Sequence, residues 1–330
     1  MRIARGLCAF LGIFAVLVLL GWGSTAAHPT HGDSESSESL DRLPIHPQAS
    51  EVAEAEKVLK EAVAFLMSAK IGLDLGVEVH LAGHGTLFAR EPDRLMPTAS
   101  AIKSFVALDL LLEHGDRLHE VPKIKRLLYP GSHPAFSGFT KLELESARRD
   151  LNGMSYGELA EVMMGQTEHT NATYNIACNV LLYVSGGLEA VQNRVRAAHP
   201  LFSQIQIDHY MYLWRNDGDN LASPHALVGL YRMLSEGSVP GLSSDQVQLF
   251  RRWLRHEGDG GEGTRIGKRG TLFPSPMARI QAGYIERNDQ DLIYAIMGQM
   301  QDMPGVDPSD AFVMLLAVVD TLTAICEELP

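Results

Sequence analysis

The chain has 330 residues, 45% of them hydrophobic and 21% charged, with 28 basic against 40 acidic side chains and a formal net charge of -12. That composition excludes disorder, coiled coil and collagen, and the length supports one large core or two small ones. The acidic excess argues against nucleic acid and against a polybasic membrane surface, since both need clustered Lys and Arg. What remains is a soluble acidic globule, an enzyme or a binder of small molecules.

Arg2 and Arg5 precede an apolar run from Leu7 to Leu20, followed by Gly21-Trp22-Gly23 and the small residues Ser24-Thr25-Ala26-Ala27. This pattern reads as a signal peptide over residues 1–27, cut after Ala26 or Ala27, with an uncleaved anchor as the alternative. The run falls short of the roughly 20 residues a spanning helix needs. A secreted or periplasmic protein without stable membrane insertion is therefore expected. Residues 28–48, rich in Ser, Glu, His and Pro, read as a flexible linker. Only Cys178 and Cys326 survive cleavage, and they form either one bridge or, the preferred reading, two separate buried thiols. The thirteen histidines are scattered, and the close pairs His28/His31 and His80/His84 lack further ligands. No metal and no cofactor are expected.

Ser50 predicts an N-cap for a helix to about Ala69, with Val52, Ala55, Leu59, Ala62 and Leu66 on one face. Val77–Ala82 and Thr86–Arg90 flank Gly83-His84-Gly85 as a hairpin. Residues 100 to 260 then read as mostly helical. Ala101–His114 is apolar nearly all round and so central. Ser155-Tyr156-Gly157-Glu158 is a capping box, a helix from about Asn171 stops at Ser185-Gly186-Gly187, and another starts at Leu188. Ser223-Pro224 opens a further helix, and the one after Ser244 ends in a glycine-rich stretch from Gly258 to Gly263. Strand patterns return at Thr264–Lys268, Met277–Glu286 and Asp291–Gly298, with a turn at Arg287-Asn288-Asp289-Gln290. Asp307-Pro308 caps a last helix to about Glu327. Because a lone hairpin is marginal, the strands at the two ends must share one sheet. The expected fold is α+β: an antiparallel five-stranded sheet flanked by N- and C-terminal helices, with an inserted all-helical domain. Residues 49–95 and 262–330 form the sheet domain and 96–261 the helical one.

Lysine is scarce, eight against twenty arginines. Lys103 lies in the most apolar helix, three residues after Ser100, which puts the hydroxyl and the amine on one face. Burial disfavours an ammonium, so this lysine can accept the serine proton, and free N–H groups at the helix start can hold an oxyanion. The plain alternative is a snorkelling lysine beside a capping serine. Further on come a polar stretch, Thr167-Glu168-His169-Thr170-Asn171-Ala172-Thr173-Tyr174-Asn175, and then Lys268-Arg269-Gly270-Thr271 on a returning strand.

These three elements, in this order, resemble the serine β-lactamase and penicillin-binding protein superfamily, and most closely class A β-lactamases, over about residues 50 to 328. The resemblance implies Ser100 as nucleophile and Lys103 as its base. It implies that Lys268 and Thr271 hold a substrate carboxylate, and that the Thr271 and Ser100 N–H groups form the oxyanion hole. Gly270 matches the motif glycine, Arg269 replaces its threonine, and Arg279 resembles the carboxylate-binding arginine. The Asn171/Asn175 spacing puts His169-Thr170-Asn171 on the middle motif, with His169 as proton shuttle and Asn171 as the substrate amide. Counting from the helix of Glu158 puts Thr167-Glu168-His169 there instead. Met211 falls where the family carries a glutamate that activates the deacylating water, leaving Asp208, Asp217 or Asp219 as substitutes. The expected partner is a small β-lactam or peptidoglycan-like substrate, bound by a monomer. The alternative function is a non-hydrolysing penicillin-binding or ligand-binding protein on a decayed enzyme fold.

Overall fold

The computed structural model describes residues 49–68, 72–212, 219–256, 264–274, 276–287, 290–301 and 306–329. The leader, the linker, Asp217, the glycine-rich stretch and the middle of the Arg287–Gln290 turn lie outside them. The chain from Ile45 onward forms one compact unit.

Helix α1 (Ala49–Ser68) leads into β1 (Leu73–Leu81) and β2 (Gly85–Arg90), and a short β3 (Met96–Pro97) follows. The helices are then α2 (Lys103–His114), α3 (Lys141–Leu151), α4 (Tyr156–Met164), α5 (Asn171–Val184) and α6 (Leu188–Ala198). After β4 (Leu221–Ala222) come α7 (Pro224–Ser235), α8 (Ser244–Leu254) and β5 (Arg255–His256). The chain closes with β6 (Thr264–Leu272), β7 (Met277–Glu286), β8 (Leu292–Met300) and α9 (Pro308–Glu328).

The main sheet is antiparallel, in the order β2-β1-β8-β7-β6-β5. Strands from the two ends of the chain do meet, β1 pairing with β8 along its whole length from Leu73↔Met300 to Leu81↔Leu292. The sheet has a sixth strand beyond the expected five. It is β5, two residues long, too short to carry a hydrophobic period. Strands β7 and β8 are almost continuously buried, because helices cover both faces. On one face α9 lays Leu315, Val318, Val319 and Leu322 across β7 and β8. Helix α9 is also long and apolar enough, by length and composition, to cross a membrane. On the sheet's other contact α7 packs against β1, β7 and β8, and the buried Glu78 of β1 meets His225 Nδ1 at 2.8 Å.

Local chemistry sets the helix starts. Thr140 with Glu143, Ser155 with Glu158, and Ser243 with Gln246 each form a capping box, so α8 is capped one residue earlier than its sequence suggests. Cys178 and Cys326 are both buried free thiols. One apolar cluster runs from α2 through α4–α8 to β6–β8, so the helices and the sheet share a core.

Helix α2 is held in that core by a charge pair. Asp109 is fully buried and accepts from Arg194 Nε at 2.7 Å and Nη2 at 3.0 Å, while Arg194 Nη2 also donates to Ser185 O. Burial pushes the Asp109 carboxyl up, against the pull of Arg194. Removing the arginine leaves a carboxylate in a dry site. Arg194→Met is expected to destabilise the fold by about 3–5 kcal/mol in a denaturant titration.

Candidate active site

The short β3–β4 pairing, Met96↔Ala222 and Pro97↔Leu221, delivers the chain to the turn that bears Ser100. Thr98 is fully buried, and its N–H and Oγ1–H both donate to Asn220 O, at 2.9 and 2.8 Å. Thr98 O in turn accepts from Ala101 N. Ala99 sits at φ +47, in the left-handed region that costs a side-chain-bearing residue about 1 kcal/mol or more. Bonds on either side hold it there. Ser100, half-buried, then lies in a 3-10 turn over Ala99–Ile102, and α2 begins only at Lys103. A 3-10 turn eclipses residues i and i+3, so the turn stacks Lys103 directly below Ser100. Lys103 is 2% exposed.

Strand β6 closes on this turn from the other side. A Cβ at Gly270 would lie 2.8 Å from Ser100 N and 2.7 Å from Thr98 O, so only glycine fits there. Two residues earlier on the same strand, Lys268 Nζ donates to Met164 O at 2.8 Å. That carbonyl is at the end of α4, whose cap Gly165 is left-handed at φ +82, so the amine meets the negative end of a helix. Thr271 pairs with Arg279 across the strands, and its Oγ1 accepts from Arg279 Nη1 at 2.9 Å. Arg279 Nε and Nη2 both donate to Asp320 Oδ1 on α9, which Gln281 also reaches. Ser100, Lys103, Gly270 and Lys268 are thus brought together, with Thr271 further along β6 and Arg279 opposite it on β7.

The two amines dominate the electrostatics. Burial pushes Lys103 down to about 8, with the Cys178 thiol pulling the other way. Burial pushes Lys268 down to about 7, helped by the charges of Lys103 and Arg269. The Cys178 thiol is itself pushed up to about 11 by burial, against both lysines. Among the described residues neither amine has a carboxylate partner. Both can therefore be neutral near physiological pH.

His169 and Asn171 make bonds of their own beside α5, and Asn171 Oδ1 also accepts from Asn175 Nδ2 at 3.5 Å. His169 N–H donates to Tyr174 Oη, and its ring approaches Asp150 of α3 at 3.9 Å. Asn171 is exposed and donates to Tyr212 Oη at 3.0 Å. One turn further along α5, Asn175 is 4% exposed, and its Oδ1 is buried without a hydrogen-bond partner. It shares a helix face with Cys178, three residues on, whose thiol senses both lysines. Asn175 is therefore a buried amide on the Cys178 face of α5 whose Oδ1 has no partner among the described residues. The signal that would have found it is a second N-x-x-x-N spacing, Asn175/Asn179, overlapping the first.

Asn179 shows why that second spacing matters. It accepts from Met211 N at 2.7 Å and donates to Met211 O at 3.0 Å, which locks the loop after α6 onto α5. His209 Nε2 meets Asp219 Oδ1 at 2.8 Å, and Asn220 Oδ1 accepts from both Asp208 N and His209 N. The side chain held at the lock is the buried thioether of Met211.

Strand β6, with Lys268, thus packs against the turn that carries Ser100 at the start of α2. The chain matches the model of the β-lactamase enzyme family over residues 57–299, and it belongs to that family. No curated protein matches it in sequence. Solved structures show the same fold. One is a double mutant of the class A β-lactamase of the last common ancestor of Gram-negative bacteria, with a TM-score of 0.59 and 21% identity over 81% of this chain and 98% of that one. The class A β-lactamase from Mycobacterium abscessus has a TM-score of 0.57 and 19% identity over 82% and 98%. The β-lactamase from Streptomyces albus G has 0.54 and 22% over 81% and 99%.

The contact at Gly270 is testable without a substrate. Gly270→Ala would have to displace backbone atoms of Thr98 and Ser100. A loss of about 1–3 kcal/mol, seen as a lower Tm, is expected.

Proposed function

We propose that the protein is an exported serine hydrolase that forms an acyl-enzyme at Ser100. The observation that carries this reading is the buried Lys103, one 3-10 turn below Ser100 and without a carboxylate partner among the described residues. A neutral amine there takes the Ser100 Oγ proton as Oγ attacks the carbonyl carbon of an amide or ester. The N–H groups of Ser100 and Thr271 receive the charge that develops on the carbonyl oxygen. When the carbonyl–nitrogen bond breaks, the proton held by Lys103 passes to the leaving nitrogen, and the amine is neutral again. Lys268, Thr271 and Arg279 hold a substrate carboxylate, and Asn175 offers its unpartnered oxygen to a substrate N–H. β-Lactams and D-Ala-D-Ala-like peptides, which pair a carboxylate with a reactive amide, suit this set of groups. The leader over residues 1–27 supports action outside the cytoplasm.

Met211 favours the slow-deacylating version of this reading. The backbone at that point is locked by Asn179, but a thioether cannot deprotonate water. Penicillin would then leave a lasting adduct rather than turn over.

Intact-mass analysis after incubation with benzylpenicillin is the direct test. An adduct mapping to Ser100, absent in Ser100→Ala, is expected, and equal nitrocefin turnover by both proteins would sink the reading. The rate of adduct formation should fall about tenfold per pH unit below a Lys103 value of about 8, because only the neutral amine serves as base. A flat profile between pH 6 and 8 would remove Lys103 from that role. Met211→Glu is expected to raise steady-state turnover by about tenfold or more, by supplying a base for the deacylating water.

A further inference from the structure

We propose that His209 is a positioning residue, a doubly protonated imidazole whose ion pair with Asp219 clamps residues 206–211 against 219–221 and steadies the turn that bears Ser100. The hydrogen-bond inventory of the ring carries the inference. His209 Nε2 meets Asp219 Oδ1 at 2.8 Å, and Nδ1 meets the Tyr210 carbonyl oxygen at 2.9 Å. Both partners are acceptors. A carbonyl has no proton to give, and the Asp219 oxygen already accepts from Asn220 N at 2.8 Å. A neutral imidazole has one N–H and one lone pair, so it would point that lone pair at an acceptor. Only the imidazolium satisfies both contacts, and its bond to the carboxylate is charge-assisted. The two side chains are each 11% exposed, so salt and water screen the pair little.

The clamp reaches the site through Asn220, which is 2% exposed. Asn220 Oδ1 accepts from Asp208 N and His209 N, and its Nδ2 donates to His209 O at 3.1 Å. The backbones of Gln206 and Leu221 exchange two further bonds. Asn220 O is the acceptor of both Thr98 bonds, two residues before Ser100. His209, Asp219, Asn220 and Thr98 thus form one chain of contacts that ends at the nucleophile turn. Among the described residues, the other titratable groups here are Asp208, next to His209 in the chain, and the Tyr210 phenol. That phenol faces Tyr183 of α5 and the His133 ring. From α6, Arg196 donates to Ile205 O and Gln192 accepts from Ile207 N. The proton belongs to the closed clamp, so the clamp is complete at low pH and is lost as pH rises through the His209 midpoint.

The protonation state can be read without a substrate, in the whole chain labelled with 15N-histidine. Ring nitrogen shifts separate the imidazolium from either neutral tautomer, and His209→Gln assigns the signal. At pH 7.5 an ordinary histidine, titrating near 6.5, is about nine-tenths neutral, whereas His209 is expected to be doubly protonated. In Asp219→Asn the ring should be neutral at that pH. Hydrogen exchange around Thr98 and Met211 should quicken about tenfold or more in Asp219→Asn at pH 7. In the unaltered chain that protection should fall as the ring loses its proton. His209→Arg, a cation at every pH, is expected to keep the protection and remove its pH dependence. A neutral ring at pH 7.5, or equal exchange at Thr98 with and without Asp219→Asn, would overturn the proposal. Should Asp219→Asn fail to fold, the ring spectrum and the pH dependence of exchange in the unaltered chain decide. The step to Ser100 rests on the acyl-enzyme reading above: Asp219→Asn should slow adduct formation with benzylpenicillin at pH 7 about threefold or more. A doubly protonated ring and a pH-dependent clamp in a protein that no acyl donor modifies would uphold the clamp and reject the hydrolase reading.

Discussion

The approach of β6 to the turn around Ser100 is the contact on which the rest of the site depends. Gly270 lies so close to Ser100 N and Thr98 O that no Cβ fits between them. Through that contact two segments nearly 170 residues apart in sequence share one pocket of electrostatics. On the far side of the turn, Asn220 O receives two bonds from Thr98, and Ala99 is held in a left-handed conformation between the two restraints. In the acyl transfer proposed above, a hydroxyl on such a turn is preorganised, since its geometry does not have to be reached during the reaction.

Burying two amines at one place with no carboxylate partner among the described residues is costly, and the surroundings show how part of the cost is met. Lys268 ends on the carbonyl terminus of α4, and the pull of that helix end favours its charged form. Lys103 lacks that helix-end contact among the described residues. Burial nonetheless leaves it at about 8, above Lys268 at about 7, which the charge of Lys103 pushes down further. A carboxylate at Met211 would change that balance by offering Lys103 a counter-charge as well as a base for water. The loop around Met211 keeps its lock on Asn179 regardless, so the scaffold for such a base persists without the base. In the acyl-enzyme reading proposed above, acylation and deacylation are separable: the first rests on Lys103, the second on a position that carries a thioether.

Much of this was legible before any coordinates. Alternating and continuous apolar runs marked the strands, and Ser155, Ser223 and Asp307 marked helix starts, because those signals are local. Ser-x-x-Lys and Lys268-Arg269-Gly270-Thr271 could be recognised because each lies within one element. The middle element was harder, since Asn171, Asn175 and Asn179 repeat the same spacing on one helix. Choosing among them needs to know which faces the lysines and which faces Met211. Strand β5 left no signal, and Ser243 rather than Ser244 caps α8, a one-residue difference set by where Gln246 reaches back.

By itself the sequence determined the elements, their order and the two lysines placed for chemistry, because backbone propensity, capping and hydrophobic period act over a few residues. Only the tertiary structure decided which groups meet. The burial of Asn175, the lock of Asn179 on Met211, and the meeting of Gly270 with the Ser100 turn arise from segments far apart in the chain. Burial and distance set the protonation of Lys103 and Lys268, and those are properties of packing that no single stretch of residues contains.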